Sequence, residues 1–259
     1  MMISVERGAF VRSFGTGRTI LCLHGFGDNG SMFLPLEDTD TAKAFSFVCP
    51  DIPGMGASPL DNDLVSVDDY AKWLIRVTRE ISIFGPVGLV AHSAASPVAV
   101  RAIELEPDLF CGLFSIEGNL TENDAFFSGK AADYDDPELF KAALLKTIWR
   151  DGEKDKNAGR FYSTIAQCDA QALWRFGRLI KSIGAGAGRA FVSLAVPRVY
   201  YWSRTSTNGD TRAFIESHRF DSVTYDGGHM PTLESPDETA NAIAKFFEPA
   251  FEACEAAAA

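Results

Sequence analysis

The sequence lacks long apolar runs and any excess of positive charge. No segment is apolar over the length that a membrane-spanning helix needs, so we expect no membrane span. The formal net charge is -11, and a surface of that sign repels the phosphates of nucleic acids and anionic membranes. The first residues, MMISVERG, carry no basic region followed by a long apolar stretch, so we expect no secretory signal. These absences argue against a nucleic-acid or membrane partner.

Cysteine pairs at metal-binding or redox spacing are also missing. The cysteines are scattered along the chain without CxxC spacing, and three of them fall in predicted strands. This distribution predicts buried, reduced thiols and favours a cytoplasmic location over an oxidising compartment. The five positions are Cys22, Cys49, Cys111, Cys168 and Cys254.

Length and composition indicate one large α/β domain. A chain of 259 residues with 46% hydrophobic residues can bury a substantial core. Two short apolar segments at 3–6 and 10–14 predict an antiparallel hairpin, and further strands are predicted at 19–23 and 46–49. Ser66 and Asp69 are placed to cap a helix whose apolar face has helical spacing and comprises Tyr70, Leu74, Val77 and Ile81.

Ser93 is the first candidate functional residue. It lies in the run GLVAHSAASP (88–97), where an apolar strand meets small residues and then a helical stretch. A serine in such a tight turn is forced into a strained conformation that projects its hydroxyl into a pocket, and its neighbours two positions away must be small. Here those neighbours are Ala91 and Ala95, so the usual GxSxG pattern becomes AxSxA. Taken alone, the motif leaves open that Ser93 only caps the following helix.

Histidine is scarce, and His229 is the best candidate for a general base. It lies in the Gly-rich loop DGGHMP (226–231), just before a helix that Ser235 and Pro236 are placed to begin. A histidine on such a loop can reach a serine at the strand ends and accept its proton. Of the other three histidines, His24 and His92 adjoin tight turns as structural or supporting groups, and His218 lies in a polar, solvated segment.

Backbone donors for a developing oxyanion are expected in two of these turns. The run TILCLHGFGD (19–28) is typical of a buried parallel strand that ends in a glycine turn. Acyl transfer needs N–H groups at the point where the oxyanion forms, and those of Phe26 and Ala94 are our choice. A second turn of this kind, DIPGMGAS (51–58), follows the next apolar segment.

These four segments, in this order and at these intervals, resemble the α/β-hydrolase superfamily across nearly the whole chain. The motifs that carry the resemblance are HGF, the DxPGxGxS turn, the serine turn and GGH. The resemblance implies an eight-stranded, mostly parallel sheet flanked by helices and a catalytic triad in the chain order serine, acid, histidine.

The acid of the implied triad has two candidates. Most members of the superfamily carry an aspartate after the strand that here is VPRVYYWS (196–203), but no carboxylate follows it until Asp210, several residues later. The run LFSIEGNL (113–120) instead places Glu117 at the end of the strand predicted beside the serine strand, and some α/β-hydrolases have their acid there. We prefer Glu117 over Asp210; the alternative role for Glu117 is an ion pair with an arginine on the pocket wall.

The α/β alternation stops between Leu120 and Leu194, which suggests an insertion. We therefore assign residues 1–119 and 195–259 to the α/β-hydrolase core and residues 120–194 to a helical cap. One cap helix should begin near Pro137 and end at Gly152. We interpret the run GAGAG (184–188) as a flexible linker, because neither a strand before it nor a phosphate-binding helix after it is predicted.

The sequence-based hypothesis is a serine hydrolase that cleaves a small or medium, largely neutral carboxylic ester, or a related lactone or thioester, through an acyl-enzyme. Ser93 attacks, His229 takes its proton, Glu117 orients the imidazole, and the two backbone N–H groups bind the oxyanion. The partner is a small-molecule substrate, and the mechanism requires no metal or organic cofactor. The residue pattern leaves two alternatives open: a carbon–carbon bond hydrolase of the same fold, and a small-molecule receptor with little turnover.

Overall fold

A single eight-stranded sheet organises the protein, seen in a computed structural model that describes residues 1–6, 8–83, 85–151 and 157–258. The strand order is β1-β2-β4-β3-β5-β6-β7-β8. Strand β2 pairs antiparallel with β1 and β4, and every other pairing is parallel. The strands are β1 (Met2–Glu6), β2 (Ala9–Gly15), β3 (Arg18–Leu23), β4 (Phe45–Pro50), β5 (Val87–His92), β6 (Phe110–Ile116), β7 (Arg198–Ser203) and β8 (Ser222–Tyr225).

Helices connect the strands and cover both faces of the sheet. In chain order the α-helices are α1 (Val67–Ile81), α2 (Ser96–Leu105), α3 (Pro137–Asp151), α4 (Ala158–Gln167), α5 (Ala170–Ile183), α6 (Ala187–Val192), α7 (Gly209–His218), α8 (Pro231–Glu234) and α9 (Pro236–Ala258). None of the helices within the described ranges combines the length and apolarity needed to cross a membrane.

Strands β5 and β6 form the centre of the core. Every residue of both strands is buried, as expected of parallel strands covered by helices on two faces. On one face, α1 and α2 pack together and contribute to the larger hydrophobic cluster. On the other face α9 lies against β6, and Gly88 and Gly112 leave room for its aromatic side chains: a Cβ at Gly88 would lie 2.7 Å from the Phe247 ring.

Helix α1 has the capping and the apolar face that the sequence predicts. Ser66 and Asp69 form a reciprocal capping box, which satisfies backbone N–H groups that have no partner within the helix. Tyr70, Leu74 and Val77 are buried, and α1 packs against α2. The predicted hairpin is also present as the antiparallel pair β1 and β2.

The segment between β6 and β7 contains helices α3 to α6. Helix α3 begins as the sequence predicts, where the Asp136 carboxylate accepts the N–H groups of Glu138 and Leu139. Gly152, the expected end of this helix, lies outside the described residues.

Residues 184–188 are not a linker. They form a 3-10 turn at Gly184–Gly186 and the first residues of α6. Gly188 is the second residue of α6, where a backbone N–H has no partner within the helix, and it donates instead to the Leu120 carbonyl at 2.9 Å. A Cβ at Gly188 would lie 2.5 Å from the Phe214 ring, so glycine is needed for this close packing.

Candidate active site

Ser93 occupies a strained turn directly after β5. Its φ of +54° lies in the left-handed region, which is costly for a residue with a Cβ. A 3-10 turn (Ser93–Ala95) follows, and α2 begins at Ser96. Ala91 and Ala95 are both fully buried, as the small-neighbour requirement predicts. Among the described residues the Ser93 side chain makes no capping hydrogen bond, so helix capping does not account for this serine.

Glu117 meets His229 at the carboxyl ends of the strands. Glu117 follows β6, which neighbours β5, and its φ of +48° is also left-handed. Its Oε2 lies 3.2 Å from Nδ1 of His229, in the loop between β8 and α8. The Glu117 side chain is 4% exposed and that of His229 is 46% exposed. The structure thus places the buried Glu117 carboxylate against Nδ1 of the half-exposed His229 imidazole.

The Glu117 carboxylate is held ionised by several donors. The Ser203 N–H and the Thr207 hydroxyl donate to Oε1 at 2.6 Å each, and the Ser206 hydroxyl donates to Oε2 at 2.9 Å. Burial acts to raise the pKa of Glu117, but His229 and these donors outweigh it and hold the pKa below its usual value. The carboxylate is therefore charged and fixed in orientation at neutral pH.

Asp210 lies elsewhere. It is in the first turn of α7 and accepts a hydrogen bond from the Asn123 amide. No contact joins Asp210 to His229 within the described part of the chain. Of the two acids considered from sequence, the structure brings only Glu117 to His229.

Ser93 and His229 line the same cavity. No hydrogen bond joins the Ser93 hydroxyl to His229 among the contacts of the described residues. Such contacts are often long without substrate and tighten when substrate is bound. Glu117 and His229 are therefore in contact, and Ser93 lies on the wall of the cavity that His229 also lines.

His92 supports the backbone of His229. Its Nε2–H donates to the His229 carbonyl at 2.9 Å, and the two rings lie 4.7 Å apart between centroids. Burial, together with the neighbouring His229, lowers the pKa of His92 to about 3, so the ring is neutral. His92 Nδ1 is buried without a hydrogen-bond partner among the described residues. A Cβ at Gly25 would lie 2.8 Å from that nitrogen, so glycine allows the β3 turn to approach the serine turn.

His24 and His218 have the supporting and solvated positions expected of them. The His24 Nδ1–H donates to the Gly25 carbonyl at 2.8 Å, and its Nε2 accepts the Ile52 N–H at 2.9 Å. His24 is fully buried, and that burial lowers its pKa. His218 is exposed at the end of α7 and stacks on Phe214.

The two expected oxyanion donors belong to turns that approach each other closely, since a Cβ at Gly25 would lie 3.0 Å from the Ser93 Cβ. Phe26 is in the turn after β3 and lines the cavity, and Ala94 directly follows the serine. Neither N–H donates to an acceptor within the described ranges. Two unpaired backbone donors at this position can bind an anionic oxygen.

The loop that carries His229 is held on several sides. The Gly227 carbonyl accepts the Ser203 hydroxyl, and the Gly228 carbonyl accepts the Tyr225 hydroxyl at 2.9 Å. The Gly228 N–H donates to Glu234 at 2.6 Å. No role could be assigned to Glu234 from the sequence, because its partner Asn157 lies in a different part of the chain.

The cavity has a volume of about 750 Å³. This volume lies within the range of small-molecule sites. The segment between β6 and β7 contributes apolar side chains to the lining, namely Phe126, Phe127, Ile148 and Phe161. The lining also contains the carboxylates of Asp28, Glu117, Asp124 and Glu234. Within the described ranges, no group of three or more His, Cys, Asp or Glu residues is arranged to hold a metal ion.

Comparisons with known proteins agree with this architecture. A model of the alpha/beta hydrolase family matches residues 20–242. A pimeloyl-(acyl-carrier protein) methyl ester esterase from Shewanella woodyi is 32% identical over 107 residues, which are 41% of this chain and 38% of that protein. The chain thus spans about two fifths of the length of that curated relative.

Solved structures share the fold at low identity. An esterase from Thermogutta terrifontis superposes with a TM-score of 0.72 at 15% identity, over 93% of this chain and 94% of its own. The N-acyl homoserine lactonase AidH superposes with a TM-score of 0.76 at 17% identity, over 96% and 97%. Because the family model spans most of the sequence and the sheet has the same architecture, the chain belongs to the alpha/beta hydrolase family of enzymes.

Proposed function

We propose that this protein is a serine esterase that works through an acyl-enzyme, with Ser93 as nucleophile, His229 as general base and Glu117 as the residue that orients His229. The observation that carries the proposal is the 3.2 Å contact between Glu117 and His229 at the edge of a cavity that Ser93 also lines. The left-handed backbone of Ser93 supports it, because strain at a polar residue in a cavity is typical of functional sites.

The chemistry follows from these positions. As the Ser93 oxygen attacks the acyl carbon, its proton moves to Nε2 of His229, and ionised Glu117 stabilises the imidazolium through Nδ1. The Phe26 and Ala94 N–H groups bind the oxyanion. Collapse expels the alcohol, which takes the proton from His229. Water then attacks the acyl-enzyme with His229 again as base, and the carboxylic acid leaves with Ser93 regenerated.

The substrate class we propose is a medium-sized, largely neutral ester with an apolar group. Supporting features are the cavity of about 750 Å³, the aromatic side chains in its lining, and the Asp124 and Glu234 carboxylates, which repel anionic groups. The names of the Shewanella woodyi relative and of AidH refer to a methyl ester and a lactone. Both bonds are open to the same attack, so esters and lactones are the first compounds to test.

The domain division is part of the proposal. Residues 1–119 and 195–259 form the catalytic core, and residues 120–194 form a cap whose aromatic side chains contribute to the lining of the cavity. We further propose that the enzyme acts in the reducing cytoplasm. The five cysteines are free thiols, and four of them are buried.

A labelling experiment tests the assignment. A fluorophosphonate probe should modify Ser93, and Ser93→Ala should lose both labelling and hydrolysis of a p-nitrophenyl ester series. A parallel assay with a meta-cleavage product, a vinylogous diketone, separates ester from carbon–carbon hydrolysis. Folded protein that is not labelled and that binds a ligand without turnover would favour the receptor alternative.

A further inference from the structure

The first turn of α4 makes polar contacts with two loops that line the cavity. The Asn157 amide, at the N-cap of this helix, donates to Glu234 Oε1 at 2.9 Å. The Arg160 guanidinium donates to both oxygens of Asp28 at 2.8 and 2.7 Å. Residues three positions apart share one face of a helix, so one turn of α4 reaches two separate loops.

Glu234 connects α4 to the backbone that carries His229. Its Oε1 accepts from Asn157, and its Oε2 accepts the Gly228 N–H at 2.6 Å. A Cβ at Gly228 would lie 2.7 Å from Oε1, so the carboxylate lies directly against the loop. A hydrogen bond from an N–H to a charged carboxylate is stronger than one between neutral groups. The position of Glu234 therefore sets that of the Gly227–Gly228 peptide, one residue before His229.

Asp28 connects α4 to the turn that carries Phe26. The Asp28 side chain is 1% exposed, and the Arg160 side chain is 26% exposed. Asp28 also accepts the Asn29 N–H at 2.7 Å, which fixes it to its own turn. Between Phe26 and Asp28, Gly27 packs so closely on α4 that a Cβ there would lie 1.9 Å from Ile165 Cδ1. The turn with the proposed oxyanion donor thus rests against the same helix.

We propose that the first turn of α4 is a clamp that fixes the Gly228–His229 loop relative to the Phe26–Asp28 turn, with Glu234 as the positioning residue for His229. The proposal rests on the proposed function only for its kinetic consequences. The mechanical link through Asn157 and Arg160 stands on the contacts alone.

The kinetic test compares two substitutions of Glu234. Glu234→Ala removes both hydrogen bonds, so we expect kcat to fall by about 10- to 100-fold with KM changed by less than about 3-fold, because a displaced base slows chemistry more than binding. Glu234→Gln should restore kcat to within about 3-fold of wild type. Its amide oxygen can accept the Gly228 N–H, and its NH₂ can donate to a flipped Asn157 amide.

Glu248→Ala is the matched control, because Glu248 is an exposed acid on α9. It should leave both constants unchanged. A Glu234→Ala variant with wild-type kcat, or a Glu234→Gln variant as impaired as Glu234→Ala, would contradict the positioning role.

Amide hydrogen exchange tests the clamp independently of activity. Glu234→Ala should speed exchange in peptides covering 226–230, and Arg160→Ala should speed it in peptides covering 25–29, by about 10-fold or more. Because α4 joins the two loops, each variant should also speed exchange in the other loop. In the double variant, the change in opening free energy should be smaller than the sum of the changes in the two single variants.

The two failures are distinguishable. If each variant affects only its own loop, the clamp is wrong whatever the enzyme hydrolyses. If the exchange results hold but Ser93→Ala retains full esterase activity, the proposed function is wrong and the clamp stands.

Discussion

Glu117 contacts His229 from a left-handed backbone position, with φ of +48° and 3.2 Å between Oε2 and Nδ1. This conformation turns the chain sharply at the end of β6 and directs the carboxylate across the end of β7, where the Ser203 N–H donates to it. The strained residue is thus held by the hydrogen bonds that also orient it toward the imidazole.

Glu117→Gln is expected to reduce kcat by about 10³-fold, since the amide keeps the shape but cannot stabilise the imidazolium or enforce the correct tautomer. Asp210→Asn should stay within about 3-fold of wild type, because Asp210 contacts Asn123 and not His229. Single-turnover kinetics with a p-nitrophenyl ester measure the acylation step in both variants. If Asp210→Asn acylated slowly while Glu117→Gln acylated at the wild-type rate, Asp210 and not Glu117 would be the acid.

Ser93→Gly is expected to be about 1 kcal/mol more stable than Ser93→Ala, although both should be inactive, because only glycine adopts φ of +54° without a Cβ penalty. Urea unfolding of the two variants measures the difference. Ser193 supplies the control: it is exposed with φ of -85°, so there the glycine variant should be the less stable one. If the glycine variant were less stable than the alanine variant at position 93 as well, strain at Ser93 would be negligible.

The three proposed catalytic residues could be selected from the sequence because each lies in a local pattern: a strand-turn-helix around Ser93, a strand end at Glu117 and a glycine loop at His229. Asp28 and Glu234 could not be assigned roles, since their partners Arg160 and Asn157 belong to a different part of the chain. The run 184–188 was misjudged for a related reason. Its glycines disfavour a helix locally, whereas packing of Gly188 against Phe214 requires glycine within one.

Acid is expected to destabilise the protein through His92. Its pKa in the folded protein is about 3, against 6.5 for an unperturbed histidine. A depressed folded-state pKa means that the unfolded chain binds the proton first, so stability is fully present above pH 6.5 and is lost as pH falls toward 3. The expected loss is about 1.4 kcal/mol for each pH unit in that window.

His92→Gln removes this titration and can still donate an N–H to the His229 carbonyl. Unfolding free energies of both proteins at pH 7, 5.5 and 4.5 give the test. Groups that titrate in both proteins cancel in the difference between their unfolding free energies. The wild type should therefore lose more stability than the variant at each decrease in pH. Parallel losses would mean that His92 does not carry the expected pKa shift.

Gly27→Ala is expected to destabilise the protein by about 2 to 4 kcal/mol, because it adds a Cβ at a φ of +67° and places it 1.9 Å from Ile165 Cδ1. Ile165→Val removes that terminal carbon and, at a fully buried position, should cost about 1 kcal/mol alone. The double variant should therefore be less destabilised than the sum of the two, as measured by urea unfolding. Strict additivity would mean that the cost of Gly27→Ala comes from backbone strain alone and that the turn does not depend on contact with α4.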